Sequence, residues 1–202
     1  LMQSKKTFQV VLLGGPGVGK TLLMHQFAGK PVDPKSLKPT ETYESLTATA
    51  KIDGIEETFT ISTISGKKMA EMSSFDVVKK ADAVIFVLDI NDYKTLSDTE
   101  IYFYELAPNE KKIPSFIIAN KNDVPNDAKF PFKEVQDLTS ALNIQKCYLT
   151  SGLDKFDLPK VFADMANILK KDYALKFPAF NSRVRQGADK SNESGDESCR
   201  IF

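Results

Sequence analysis

A chain of 202 residues with 42% hydrophobic content suits one medium domain with a full core and requires no second one. Lys and Arg total 27 and Asp and Glu total 27, so the net charge is zero and no basic field argues for a nucleic-acid partner. The two cysteines, Cys147 and Cys199, exclude a disulfide framework and fit a reducing cytosol, and the longest apolar run, Ala83 to Leu88, is too short to span a bilayer.

Residues 1–6 form a short lead without the long apolar region of a secretory leader. Phe8-Gln9-Val10-Val11-Leu12-Leu13 then reads as a buried strand over about 7–13. It runs into Gly14-Gly15-Pro16-Gly17-Val18-Gly19-Lys20-Thr21, which fits the phosphate-loop pattern G-x-x-x-x-G-K-S/T, with a helix expected over about 20–29. The glycines let successive backbone N–H groups turn inward around phosphates, so the amides of Gly15, Gly17, Val18 and Gly19 are candidate ligands. Lys20 is placed to neutralise the β and γ oxygens, the Thr21 hydroxyl to coordinate Mg2+, and the helix dipole to favour the anion. This run marks the chain as a nucleotide binder.

Residues 31–40, with Pro31, Pro34 and Pro39, read as loop. Strands over 44–52 and 55–62 flank Asp53-Gly54, a two-residue hairpin signal, and should pair antiparallel. Val84 to Leu88 and Ser115 to Ala119 are continuous apolar runs of the kind that form central strands, and Gln145 to Leu149 is the last strand. Helices are expected at about 67–80, 93–106, 131–142 and 155–173, the aromatics Tyr102, Phe103 and Tyr104 packing from one of them. The alternation predicts an α/β fold: a six-stranded, mostly parallel sheet with one antiparallel edge strand and helices on both faces. One domain over 7–174 is expected, followed over 175–202 by a flexible tail too polar to build a core.

Asn120-Lys121-Asn122-Asp123 follows a buried strand directly, at the carboxyl edge where open α/β sheets bind ligands. With the phosphate loop upstream, the chain resembles a small GTPase of the Ras superfamily over roughly residues 7–174. The resemblance implies GTP or GDP with Mg2+ as ligands. It implies that Asp123 accepts two hydrogen bonds from the guanine edge, that Asn120 ties the base loop to the phosphate loop, and that the Lys121 stem covers the ring. Thr150-Ser151-Gly152 resembles the family's T-S-A motif, whose amides read the guanine oxygen, so Ser151 and Gly152 join the binding set although glycine replaces alanine and Leu153 the usual lysine. Pro39-Thr40 resembles the first switch, which makes Thr40 the sensor that closes over Mg2+ and the γ-phosphate.

The catalytic parts depart from the family. Lys30-Pro31-Val32 holds no aromatic ring for the guanine edge, which weakens base affinity. The family's D-x-x-G-Q aligns with Thr63-Ile64-Ser65-Gly66-Lys67, in which Gly66 still offers its amide to the γ-phosphate. Thr63 replaces the aspartate that holds a water of the metal, and Lys67 replaces the glutamine that orients the attacking water. An ammonium donates hydrogen bonds but accepts none, so intrinsic hydrolysis should be slow, while Lys67 can also neutralise γ-phosphate charge. Lys20, Thr40, Gly66 and Lys67 form the catalytic set on this reading, with Thr21 and Thr40 as metal ligands. Pro16 stands where an activating protein's arginine finger enters and speaks against stimulated hydrolysis.

Cys199-Arg200-Ile201-Phe202 is a C-a-a-X pattern whose terminal Phe favours geranylgeranyl on Cys199. The tail offers neither a polybasic patch nor a second lipidation cysteine, so reversible attachment to the cytoplasmic face of a membrane is expected. His25 reads as a surface or packing residue and Cys147 as a small core residue. The expected partners are effector proteins at the switch loops, an exchange factor and a membrane, on a monomer. The leading reading is an atypical, prenylated Ras-like switch with weak GTPase activity. The alternative is a non-hydrolysing GTP-binding adaptor with structural nucleotide. A third class, an ATP-using phosphate-loop kinase, is disfavoured by Asn120 to Asp123.

Overall fold

The computed structural model describes residues 7–30, 32–41, 43–52, 54–66, 75–106, 113–124, 129–153 and 158–176. The lead 1–6, the start of the helix expected at 67–80 with Lys67, and the tail from 177 with Cys199 lie outside the described residues.

In chain order the elements are β1 (Thr7–Leu13), α1 (Lys20–Phe27), β2 (Tyr43–Ile52), β3 (Ile55–Ile64), α2 (Phe75–Lys79), β4 (Ala83–Asp89), α3 (Tyr93–Leu106), β5 (Ser115–Asn120), α4 (Phe132–Ala141), β6 (Lys146–Leu149) and α5 (Leu158–Lys176). The strands form one sheet in the order β2-β3-β1-β4-β5-β6. Only the hairpin strand β2 runs antiparallel, paired with β3 from Tyr43 opposite Ile64 to Ile52 opposite Ile55. Each remaining neighbour pair is parallel, as crossover connections through helices require. Among its described residues, 32–40, the segment expected as loop over 31–40 contains a 3-10 turn, Pro34–Ser36, started by the Asp33 carboxylate accepting from Lys35 N at 3.0 Å.

Alternation along each strand supplies two cores. Val10 and Leu12 face one side with Phe59, Ile61, Leu23 and Phe27 of α1, and Phe162, Met165 and Leu169 of α5. Val11 and Leu13 face the other with Val78, Phe86, Leu88, Leu96, Ile117 and Val135 beneath α2, α3 and α4. Phe59 ties the first core together, stacking on Phe8 at 5.3 Å between centroids and meeting Phe162 edge-on at 5.3 Å. Each such pair adds about 0.5–1.5 kcal/mol beyond burial. Within that face the Lys170 ammonium of α5 meets the Glu57 carboxylate of β3 at 3.0 Å, and both side chains are only 6% exposed.

Two details differ from expectation. β3 continues through Thr63 and Ile64, because Leu12 on one side and Glu44 on the other complete its ladder although Ser62 and Thr63 are polar. Tyr102 and Phe103 pack on the second core, whereas Tyr104 is 58% exposed and meets the Phe103 ring edge-to-face at 6.0 Å between centroids. Cys147 is half-buried against the second core, and His25 is partly exposed, its Nδ1 lying 3.2 Å from Lys30 O.

Candidate nucleotide-binding site

The glycine-rich turn joins β1 to α1 at the carboxyl edge of the sheet. Gly19 caps α1 with φ +100°, a conformation costly for any residue with a Cβ, and a methyl there would lie 2.4 Å from Asn120 Nδ2. Gly19→Ala is therefore expected to lower stability by about 1–3 kcal/mol, read as a fall in melting temperature. No side chain caps this helix start and no acidic residue lies in its first turn, so its amides and dipole stay available to an anion.

Lys20 leaves the loop inward and is 6% exposed. Its ammonium donates to Gly14 O and Gly15 O, each at 2.8 Å, which uses two of its three donors and points the head along the loop. Burial alone pushes its pKa from 10.5 down to about 8. The loop thus holds a desolvated cation whose charge an anion stabilises. Beside it, the Thr21 and Thr40 hydroxyls are in hydrogen-bond contact at 2.8 Å, which draws the segment ahead of β2 onto the first turn of α1.

The second segment that resembles a switch also meets the loop. A Cβ on Gly66 would come within 2.2 Å of Pro16 N and 2.5 Å of Gly15 C, so only glycine permits this approach. Thr63, three residues earlier, is fully buried, and its Oγ1 has no hydrogen-bond partner among the described residues. An unpaired buried hydroxyl is unfavourable by about 1–3 kcal/mol.

Asn120 ends β5 and is 1% exposed. Its Nδ2 donates to Val18 O in the phosphate loop at 3.0 Å, and Thr150 Oγ1 donates to its Oδ1 at 3.3 Å. Thr150 N and Asn122 N extend the link, donating to Ala119 O and Thr150 O at 2.8 and 3.1 Å. Lys121 adopts the left-handed φ of +64° and its ammonium meets Asp89 Oδ2 at 2.7 Å. Asn91 Nδ2 donates both to Asp89 Oδ1 at 3.1 Å and to Lys121 O at 3.0 Å, so the lysine is held at both ends. Although desolvation opposes it, hydrogen bonding from Lys121 and Asn91 leaves the Asp89 pKa below the ordinary carboxylate value. Asp89 and Asn91 were not singled out from sequence. Their signal is polar residues closing the carboxyl end of an apolar strand beside β5.

The Asp123 side chain is exposed at the rim of this loop. Ser151 is half-buried, its Oγ accepting from Leu153 N at 3.1 Å, and Gln26 Nε2 of α1 donates to Gly152 O at 3.4 Å. A Cβ on Gly152 would sit 3.0 Å from Leu22 Cδ2, so alanine there requires the Leu22 side chain to shift slightly. The structure therefore gathers the phosphate loop, Thr40, Gly66, Asn120 to Asp123 and Ser151-Gly152 along one edge of the sheet.

A phosphate loop and a base-type loop on neighbouring strand ends of a six-stranded α/β sheet define a small G-domain. The chain belongs to the Ras family, whose family model matches residues 9–171. It is thus a GTP-binding protein of the small GTPase class. It is similar to the Ypt/Rab-type GTPase YPT7 of Saccharomyces cerevisiae, 22% identical with 98% of each chain covered. It is also similar to the GTP-binding protein YPTC5 of Chlamydomonas reinhardtii, 27% identical over 60% of this chain and 61% of that one. ADP-ribosylation factor-like protein 3 of Caenorhabditis elegans is 28% identical over 70% of this chain and 72% of its own length. Among the described residues no helix is long and apolar enough to cross a membrane.

Proposed function

We propose that the chain is a guanine-nucleotide switch that hydrolyses GTP slowly and signals from a membrane surface through its switch loops. The observation that carries the reading is the 2.8 Å contact between the Thr21 and Thr40 hydroxyls, which sets the threonine ahead of β2 against the phosphate loop. The residues fit a nucleotide-bound Mg2+: two hydroxyls converge, the Lys20 ammonium is desolvated, and the buried Thr63 hydroxyl has no partner among the described residues. Mg2+, when bound, neutralises phosphate charge, which is most of what phosphoryl transfer asks of a site. Thr21 and Thr40 would hold it. Lys20 supports the β and γ oxygens, the amides of Gly15, Gly17, Val18, Gly19 and Gly66 surround them, and Asp123 with Ser151 and Gly152 selects guanine.

Slow turnover follows from two replacements. Thr63 brings no charge to the metal's water, and Lys67 brings an ammonium where a group that also accepts would orient the nucleophile. Thr63 also favours a second reading, a GTP-binding adaptor in which the nucleotide is structural. Reversible membrane attachment rests on a prenyl group at Cys199, and effectors and an exchange factor are the proposed partners. Fluorescent GDP bound to the purified chain is expected to be displaced by GTP and not by ATP, and bound GTP to decay well below the rate of an ordinary Ras protein in a single turnover. Equal displacement by ATP would remove the guanine reading, a rate matching ordinary Ras proteins would remove the slow-turnover reading, and no decay at all would select the adaptor.

A further inference from the structure

Resting on that guanine-nucleotide reading, we propose that Glu44 supplies the magnesium site with the carboxylate that Thr63 lacks. The register of the hairpin sets Glu44 of β2 directly opposite Thr63 of β3. Opposed residues of an antiparallel pair share a face, with Cβ atoms roughly 5 Å apart. That face is the one covered by α1: Leu12 flanks Thr63 on β1, and Ile61 and Phe59, two and four residues back, lie in the core shared with Leu23 and Phe27. The first turn of α1 carries Lys20 and Thr21, and Thr21 meets Thr40 four residues before Glu44.

The side-chain pattern of β2 makes Glu44 anomalous. Its inward positions are Glu44, Leu46, Ala48, Ala50 and Ile52, with exposed residues alternating between them. A glutamate therefore occupies the terminal inward position of an apolar stripe and is half-buried there. Among the described residues no hydrogen bond or ion pair ends on its carboxylate, and the Thr63 Oγ1 beside it is buried without a partner. A charge facing inward without a counter-ion is expensive unless a cation or its water shell completes it. Glutamate is one methylene longer than aspartate, which suits a carboxylate arriving from the adjacent strand, and the Thr63 hydroxyl can donate to it. The carboxylate missing from the second switch has moved across the hairpin.

The test is the release of fluorescent GDP from the full chain as free Mg2+ is varied. Wild type is expected to release GDP faster as Mg2+ falls, with a defined midpoint. Glu44→Gln, nearly isosteric and checked for folding by circular dichroism, is expected to move that midpoint about tenfold toward higher Mg2+. Adding Thr63→Asp to Glu44→Gln should return the midpoint toward wild type. A Glu44→Gln midpoint within about twofold of wild type overturns the inference, as does wild-type release that ignores Mg2+, and both leave the guanine reading intact. Failure of wild type to bind GDP at all overturns the guanine reading itself.

Discussion

Replacement of Lys20 by alanine is expected to weaken GDP binding by about 2–5 kcal/mol, roughly thirty-fold to several thousand-fold, in a calorimetric titration. The ammonium is 6% exposed and is held by Gly14 O and Gly15 O at 2.8 Å, so its charge is fixed and desolvated at the loop. Burial holds its pKa at about 8, which adds a signature in pH. Phosphates bind the charged form and raise the pKa again, so affinity should be level below pH 8 and fall about tenfold per unit above it. Lys20→Ala removes that slope. The sign for folding is opposite. Because the folded pKa lies below the ordinary 10.5, folding carries an electrostatic cost of about 3 kcal/mol while Lys20 is charged, and loses that cost as pH rises from 8 to 10.5. A melting temperature that collapses in Lys20→Ala would show that binding was lost through unfolding and would refute this account.

Lys170→Met is expected to destabilise the fold by about 3–5 kcal/mol, measured by urea unfolding. It leaves the Glu57 carboxylate, 6% exposed and 3.0 Å from the removed ammonium, buried between β3 and α5 without a counter-ion. The double variant Glu57→Leu with Lys170→Met should recover most of that loss, since a buried pair replaced by apolar groups of similar volume is often neutral. Non-recovery would locate the damage in the packing of α5 rather than in the orphaned charge.

The legible parts of the fold were those in which apolar pattern and geometry agree. Runs such as Val84 to Leu88 have few alternatives to a covered central strand, and Asp53-Gly54 has few alternatives to a hairpin. Read from sequence, the strand ends at Ser62, where the segment resembling the second switch begins at Thr63, whereas β3 runs on to Ile64. The residues that keep it a strand, Leu12 and Glu44, are distant in sequence. The same distance hid Asp89. Its carboxylate matters through Lys121, and nothing in Asp89-Ile90-Asn91 alone says that β4 and β5 end side by side. Gly152 shows the reverse case: the departure from the family motif stands in the sequence, but the closeness of the Leu22 side chain on α1 appears only in the fold. Tyr104 was assigned to packing from helical spacing alone, which does not distinguish a ring on the core from one at its margin.

Asn120 has a consequence for how any ligand is read. Its nitrogen is engaged with Val18 O and its oxygen with Thr150 Oγ1, so the phosphate loop and the ends of β5 and β6 share one amide. A group that orders the base loop orders the phosphate loop through the same bonds. Guanosine and pyrophosphate offered separately should therefore help one another bind, with reciprocal gains in affinity. Selectivity for the base and grip on the phosphates are coupled quantities in this molecule, and retuning the first will shift the second.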